Sequence, residues 1–136
     1  MRTLLFVLLL ASCDPVNSIT VRFPVDAPSK VIVHWVQISD GRSYAQGRVF
    51  KGEANGPELS VTRSECCGTA AAYRNDDLGF IACVEKAGAD PVLICGKPGS
   101  PQVARAAQPG TTCDALDRII FQSDIDVGTC TLAPSH

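Results

Sequence analysis

This sequence offers few histidines for acid–base catalysis. Two histidines are present, and His34 is the internal one. A serine hydrolase needs a histidine base, an orienting carboxylate and an activated serine. His34 lies within an apolar run between Val33 and Trp35, where a histidine is typically structural, and no G-x-S-x-G motif occurs. The sequence therefore predicts no catalytic triad.

Carboxylates occur in three closely spaced pairs: Asp76 and Asp77, Asp114 and Asp117, and Asp124 and Asp126. Two carboxylates about 5 to 10 Å apart can hydrolyse a glycosidic bond, and Asp124-x-Asp126 could contribute ligands to a calcium ion. Each pair lies beside turn-forming residues, where aspartate normally caps or solvates the chain. We therefore predict no catalytic residue, no metal site and no cofactor, with a carbohydrate-active hydrolase as the enzyme alternative.

The cysteines indicate a disulfide framework. Seven are present, and Cys13 is set apart because it follows the N-terminal apolar run and would be either removed or lipidated. The other six are an even set: Cys66, Cys67, Cys83, Cys95, Cys113 and Cys130. In a short exported chain this count predicts three disulfides, and zinc is not expected because C-x-x-C spacing is missing. Adjacent residues of an extended chain point to opposite faces, so Cys66 and Cys67 should have different partners, at least one of them Cys113 or Cys130.

The segment 96–112 is the main candidate for recognition. It contains three prolines and three glycines, carries Lys97 and Arg105, and lies between Cys95 and Cys113. Loops fixed at both ends on a rigid scaffold commonly carry binding residues, and protease inhibitors use such preorganised segments. Lys97 and Arg105 are therefore candidate binding residues.

Two aromatic residues are further binding candidates. An exposed Trp35 beside Tyr44 would form a platform for a sugar or a protein partner. The apolar run around Trp35 instead favours a position in the core.

Short runs rich in β-branched residues and separated by turn signals predict the fold. Strands are expected at 19–25, 30–38, 43–51, 58–63, 78–85, 91–95, 118–122 and 126–132, with a short one at 103–106. This spacing, with almost no helical periodicity, indicates an all-β fold, a small antiparallel β-sandwich or barrel stabilised by three disulfides. The predicted core residues are Val31, Val33, Trp35, Ile81, Ile94, Ile119 and Phe121.

The N-terminus predicts export. Arg2 precedes an apolar run from Leu4 to Ala11, too short to span a bilayer, which needs about 20 residues. Residues 1–18 are therefore predicted to be a cleaved signal peptide, and 19–136 a single disulfide-rich β domain. No transmembrane segment is expected.

A second interpretation of the N-terminus changes the expected location. Leu10-Ala11-Ser12-Cys13 matches a bacterial lipobox. Residues 1–12 would then be removed and Cys13 lipidated, which would make the chain a periplasmic lipoprotein.

In its organisation the chain resembles the small cysteine-rich, effector-like secreted proteins of fungi: a short signal, a compact domain, six cysteines and no enzymatic signature. The resemblance implies a secreted, extracellular, non-enzymatic protein that binds a protein or a cell-wall carbohydrate. The alternatives are a protease inhibitor using 96–112 and a periplasmic lipoprotein. The net charge of −2 and the scattered basic residues argue against nucleic acid as a partner.

Overall fold

The computed structural model describes residues 15–25, 28–39, 42–66 and 78–134. In chain order its elements are β1 (Pro15–Pro24), β2 (Ser29–Ser39), β3 (Arg42–Ala54), β4 (Glu58–Cys66), β5 (Leu78–Lys86), β6 (Val92–Gly96), β7 (Val103–Ala106), α1 (Cys113–Phe121), β8 (Ser123–Asp126) and β9 (Thr131–Pro134). The chain is therefore mostly β, as predicted, with the addition of one short helix among the described residues.

The strands form two antiparallel sheets. β1 and β4 pair as a two-stranded ribbon, and the other seven strands follow the order β7-β6-β5-β2-β3-β8-β9. The sheets curl into a half-barrel. The seven strands predicted from 19–25 to 103–106 are all present, with ends shifted by a few residues.

β2 and β5 lie inside the seven-stranded sheet, and both faces of each strand are buried. Val31, Val33 and Trp35 point to one face, whereas Ile32 and Val36 point to the other. This pattern follows from the two-residue period of a strand, and it confirms the prediction that residues 30–38 form a central strand.

The ribbon covers one face of the large sheet. Val21, Phe23 and Val61 of the ribbon share a core cluster with Trp35 and Phe80 of the sheet. The rings of Phe23 and Phe80 stack with centroids 6.1 Å apart. The ribbon and the sheet therefore share one core.

The helix covers the other face, and the prediction of a strand over 118–122 is wrong. Thr112 caps the helix, because its side-chain oxygen accepts a hydrogen bond from the backbone N–H of Ala115 at 3.1 Å. The buried residues are spaced as on one helical face: Cys113, Leu116, Asp117 and Ile120.

This helix also corrects two predicted core residues. Ile119 and Phe121 are each 46% exposed, because they flank the buried face of the helix instead of pointing inward from a strand. The five other predicted core residues, Val31, Val33, Trp35, Ile81 and Ile94, are buried, which confirms that part of the prediction.

The predicted strand 126–132 spans the turn of a hairpin. β8 ends at Asp126 and β9 begins at Thr131. Between them Cys130 has a φ of 56°, a left-handed conformation that is rare outside glycine. The C-terminal hairpin is therefore formed by β8 and β9, after the helix.

Two buried disulfides tie this C-terminal part to the large sheet. Cys83 of β5 bonds to Cys113 at the start of the helix, and Cys95 of β6 bonds to Cys130 in the β8–β9 turn. The expectation that Cys66 or Cys67 bonds to Cys113 or Cys130 is therefore wrong, because both of those partners are occupied. The side chains of Cys66 and Cys67, and with them the predicted third disulfide, lie outside the described residues.

Candidate functional site

The predicted recognition segment begins with a tight turn. After β6 ends, the backbone N–H of Ser100 donates to the carbonyl oxygen of Lys97 at 3.1 Å. Pro98 and Gly99 occupy the two central positions, and Gly99 has a φ of 78°. Proline followed by a glycine with positive φ is the typical pattern of a type II turn. Lys97 is exposed on this turn.

The turn is held on both sides. Before it, β6 pairs with β5, and Cys95 bonds to Cys130. After it, the side-chain amide of Gln102 donates to the backbone oxygen of Arg22 in β1. The segment 97–102 is therefore attached to both sheets.

Two grooves flank this turn. The larger, of about 650 Å³, combines apolar and polar side chains at the end of the sheet. Its lining includes Ile38, Val103, Ile125 and Val127 together with Lys97, Ser100, Asp124 and Asp126. The smaller, of about 450 Å³, lies between the turn and residues 20–22 of β1. Lys97 and Ser100 line both grooves, so the turn forms the wall between them.

The carboxylates are engaged by the fold. Asp126 accepts hydrogen bonds from the backbone N–H groups of Gly128 at 2.9 Å and Thr129 at 3.3 Å, and so caps the β8–β9 turn. Asp114 pairs with Lys30 of β2 and with Lys51 of β3. Within the described residues no three metal-ligating side chains cluster. Asp76 and Asp77 lie outside those residues.

His34 lies in a buried polar cluster between β2 and the helix. Its ring is fully buried, and its Nε2 is 2.6 Å from Oδ1 of Asp117. Arg48 of β3 donates to the other carboxylate oxygen at 2.9 Å. The His34 and Phe121 rings also make an edge-to-face contact, with their centroids 4.6 Å apart. The predicted structural histidine therefore joins the helix to the sheet.

The electrostatics of this cluster favour a neutral imidazole. Burial lowers the pKa of His34 below 6.5 and outweighs the hydrogen bond to Asp117, which raises it. A neutral ring whose Nε2–H donates to the carboxylate leaves Nδ1 as an acceptor. Among the described residues Nδ1 has no hydrogen-bond partner. An unpaired acceptor on a neutral ring costs less free energy than the unpaired N–H and the buried positive charge of a protonated ring would.

The structure separates the four predicted binding residues into two groups. Lys97 and Arg105 are exposed on the same segment, Lys97 on the turn and Arg105 on β7. Tyr44 is 42% exposed, but Trp35 is fully buried in the core. An exposed platform of Trp35 and Tyr44 is therefore excluded.

The partner of His34 was not predicted from the sequence. The sequence predicts for Asp117 only a capping or solvated position, because it lies beside turn-forming residues. The available signal was the helical spacing of Cys113, Leu116 and Ile120 behind the cap at Thr112. With that helix in place, Asp117 falls on its buried face.

Comparisons with protein-family models, curated proteins and solved structures give no match. Within the described part of the chain, no helix is long and apolar enough to cross a membrane.

Proposed function

We propose that this protein is a secreted, effector-like, non-enzymatic binding protein that recognises a protein partner through the segment 97–106. The supporting observation is the turn at Lys97–Ser100, which forms the wall between two grooves and is attached to both sheets. A segment already held in one conformation loses little entropy on binding.

Export is part of the proposal. The N-terminal apolar run of the sequence supports it, and so do the two buried disulfides, a feature typical of oxidising compartments.

The side chains around the turn favour a protein over a carbohydrate. Sugars commonly stack on exposed aromatic rings, and the described lining of both grooves contains no aromatic side chain. Trp35, the largest aromatic residue, is buried. The mixture of Ile38, Val103 and Val127 with charged groups instead suits an apolar side chain flanked by polar contacts.

Protease inhibition is less well supported by this geometry. Lys97 is followed by Pro98, which has no backbone N–H and a fixed φ, and the two lie in a hydrogen-bonded turn. Arg105 pairs with Leu93 in the β6–β7 ladder. An inhibitor instead presents an extended segment to the protease as an additional strand.

Site-specific photocrosslinking of the secreted protein tests the proposal. A photoreactive residue replaces Lys97 or, as the matched control, Arg118, which is exposed on the helix. We expect a protein adduct at position 97 and none at position 118. Equal adducts at both positions, or retention on polysaccharide that the substitution at position 97 abolishes, would contradict a protein-binding turn.

Inhibition assays against trypsin-like and subtilisin-like proteases complete the test. We expect no inhibition by the wild type. Inhibition that the Lys97→Ser variant loses would make the protein an inhibitor instead.

A further inference from the structure

β7 is an edge strand with an accessible backbone. It is the last strand on its side of the seven-stranded sheet and pairs with β6. Ala104, Arg105 and Ala106 are all exposed. Among the described residues no strand pairs with the outer edge of β7.

The hydrogen-bond pattern identifies the backbone groups on that outer edge. The N–H of Ala107 donates to the carbonyl oxygen of Pro91 at 3.0 Å, so this directly opposed pair is hydrogen-bonded. Bonded and non-bonded pairs alternate along an antiparallel ladder. Arg105 therefore bonds to Leu93, whereas the N–H and C=O groups of Ala104 and Ala106 point away from β6.

Small side chains leave these four groups open. Ala104 lies opposite Ile94, and Ala106 lies opposite Val92, which is 37% exposed. The alanines and Val92 share one face of the sheet, since opposed residues of a ladder point the same way. Arg105 points to the other face. An added strand would therefore meet an apolar surface on one side and a positive charge on the other.

The charge of Arg105 disfavours a second copy of this chain as the occupant. A symmetric antiparallel pair that used all four outward groups would place Ala104 opposite Ala106 of the second copy. Arg105 would then lie directly opposite Arg105, and like charges at opposed positions destabilise a sheet. A carboxylate in that position would instead be attracted.

We propose that β7 binds an extended segment of the partner by strand addition, with an acidic side chain of that segment opposite Arg105. Main-chain hydrogen bonds to Ala104 and Ala106 would supply affinity, and Arg105 would supply specificity. This inference rests on the proposed function, because it assigns a binding mode to the same segment, 97–106.

A synthetic peptide of alternating valine and threonine with a central glutamate, capped at both ends, is the probe. Amide chemical shifts and hydrogen exchange of the full chain are measured with and without it. We expect saturable binding that slows exchange of the Ala104 and Ala106 amides at least tenfold. The same peptide with lysine in place of glutamate should bind more weakly.

Two variants and a matched control sharpen the test. Ala104→Pro removes an outward N–H without removing a bond of the β6–β7 ladder, and should weaken binding about tenfold, the usual effect of one lost hydrogen bond. Arg105→Glu should reverse the preference between the glutamate and lysine peptides. Arg118→Glu makes the same charge change on the helix and should have no effect.

The outcomes separate this inference from the proposed function. Unchanged affinity in a folded Ala104→Pro variant, or no protection of the Ala104 and Ala106 amides, would overturn strand addition. Protection that depends on protein concentration without peptide would indicate self-association and would overturn an acidic partner. A specific adduct at position 97 alongside either result would leave the binding function supported and only its mode wrong.

Discussion

Removal of the Asp117 carboxylate tests the contact between the helix and the sheet. In Asp117→Ala the Nε2–H of His34 loses an acceptor 2.6 Å away, and Arg48 loses one at 2.9 Å. The His34 ring is fully buried, whereas the Arg48 side chain is 39% exposed and can turn to water. An unpaired buried donor costs about 1–3 kcal/mol, and a partly exposed ion pair contributes about 0.5 kcal/mol. We expect the free energy of unfolding to fall by about 2–3 kcal/mol.

The same cluster makes the free energy of unfolding depend on pH. Burial lowers the pKa of His34 in the folded state, whereas an unfolded histidine titrates near pH 6.5. Between these two values the unfolded chain binds more protons than the folded one. The free energy of unfolding therefore falls as the pH decreases through this window, by at most about 1.4 kcal/mol per pH unit, the limit for a difference of one bound proton. His34→Gln removes the titrating group and should remove this dependence.

Urea denaturation at several values between about pH 5 and pH 8 measures both effects. Asp114→Ala is the matched control, because Asp114 is exposed and its hydrogen bond to Lys30 lowers its pKa from 3.8. Its own contribution is lost only in stronger acid, outside the window. The reasoning fails if Asp117→Ala loses no more stability than Asp114→Ala, or if His34→Gln keeps the wild-type slope.

Three further predictions concern other parts of the fold, and urea denaturation measures each of them. Replacing Cys83 and Cys113 together by alanine should lower the free energy of unfolding by about 3.6 kcal/mol, the chain-entropy estimate for a separation of 30 residues; an unchanged midpoint would contradict it. Gly79→Ala would place a Cβ 3.0 Å from a backbone oxygen and 3.1 Å from a valine side chain, and should cost about 1–3 kcal/mol of stability. Gly47→Ala is the control: its Cβ would meet nothing within 4 Å, so it should cost less. Thr112→Ala removes the helix cap and should cost about 1 kcal/mol; an unchanged urea midpoint would argue against the cap.

The strands could be predicted because burial imposes a two-residue period on them. Residues 30–38 are apolar on both faces, which is the pattern of a strand covered on two sides. The helix was missed because Ile119, Ile120 and Phe121 favour strands when taken residue by residue. The cap at Thr112 and the packing of Leu116 and Ile120 against the sheet stabilise the helix despite this strand propensity.

The disulfide pairing depended on that helix. Cys83 and Cys95 lie on neighbouring strands and share the face of the sheet that α1 covers. Their partners had to lie above this face, where the sequence offered a helix start and a turn. The sequence interpretation, with a strand over 118–122, instead predicted that Cys113 or Cys130 bonds to Cys66 or Cys67, which the two observed bonds contradict.

For the candidate site, local sequence predicted the exposed residues but not the grooves beside them. Lys97 and Arg105 could be predicted to be exposed because they lie in a segment rich in proline and glycine. The grooves arise where β8, β9 and β1 meet this segment, and such long-range neighbours have no local signature. The buried pair of His34 and Asp117, 83 residues apart, is a contact of the same kind.

The two-sided burial of the central strands directs a partner to the margins of the large sheet. The ribbon covers one face of β2 and β5, and the helix covers the other, so a partner can reach the sheet through its edge strands and connecting segments. The edge strand β9 ends in Pro134, which has no N–H to donate to an added strand. β7 instead presents two alanines beside a positively charged residue, on the same segment as the turn at Lys97. The burial that stabilises the fold therefore also favours β7 as the edge at which an extended partner can add.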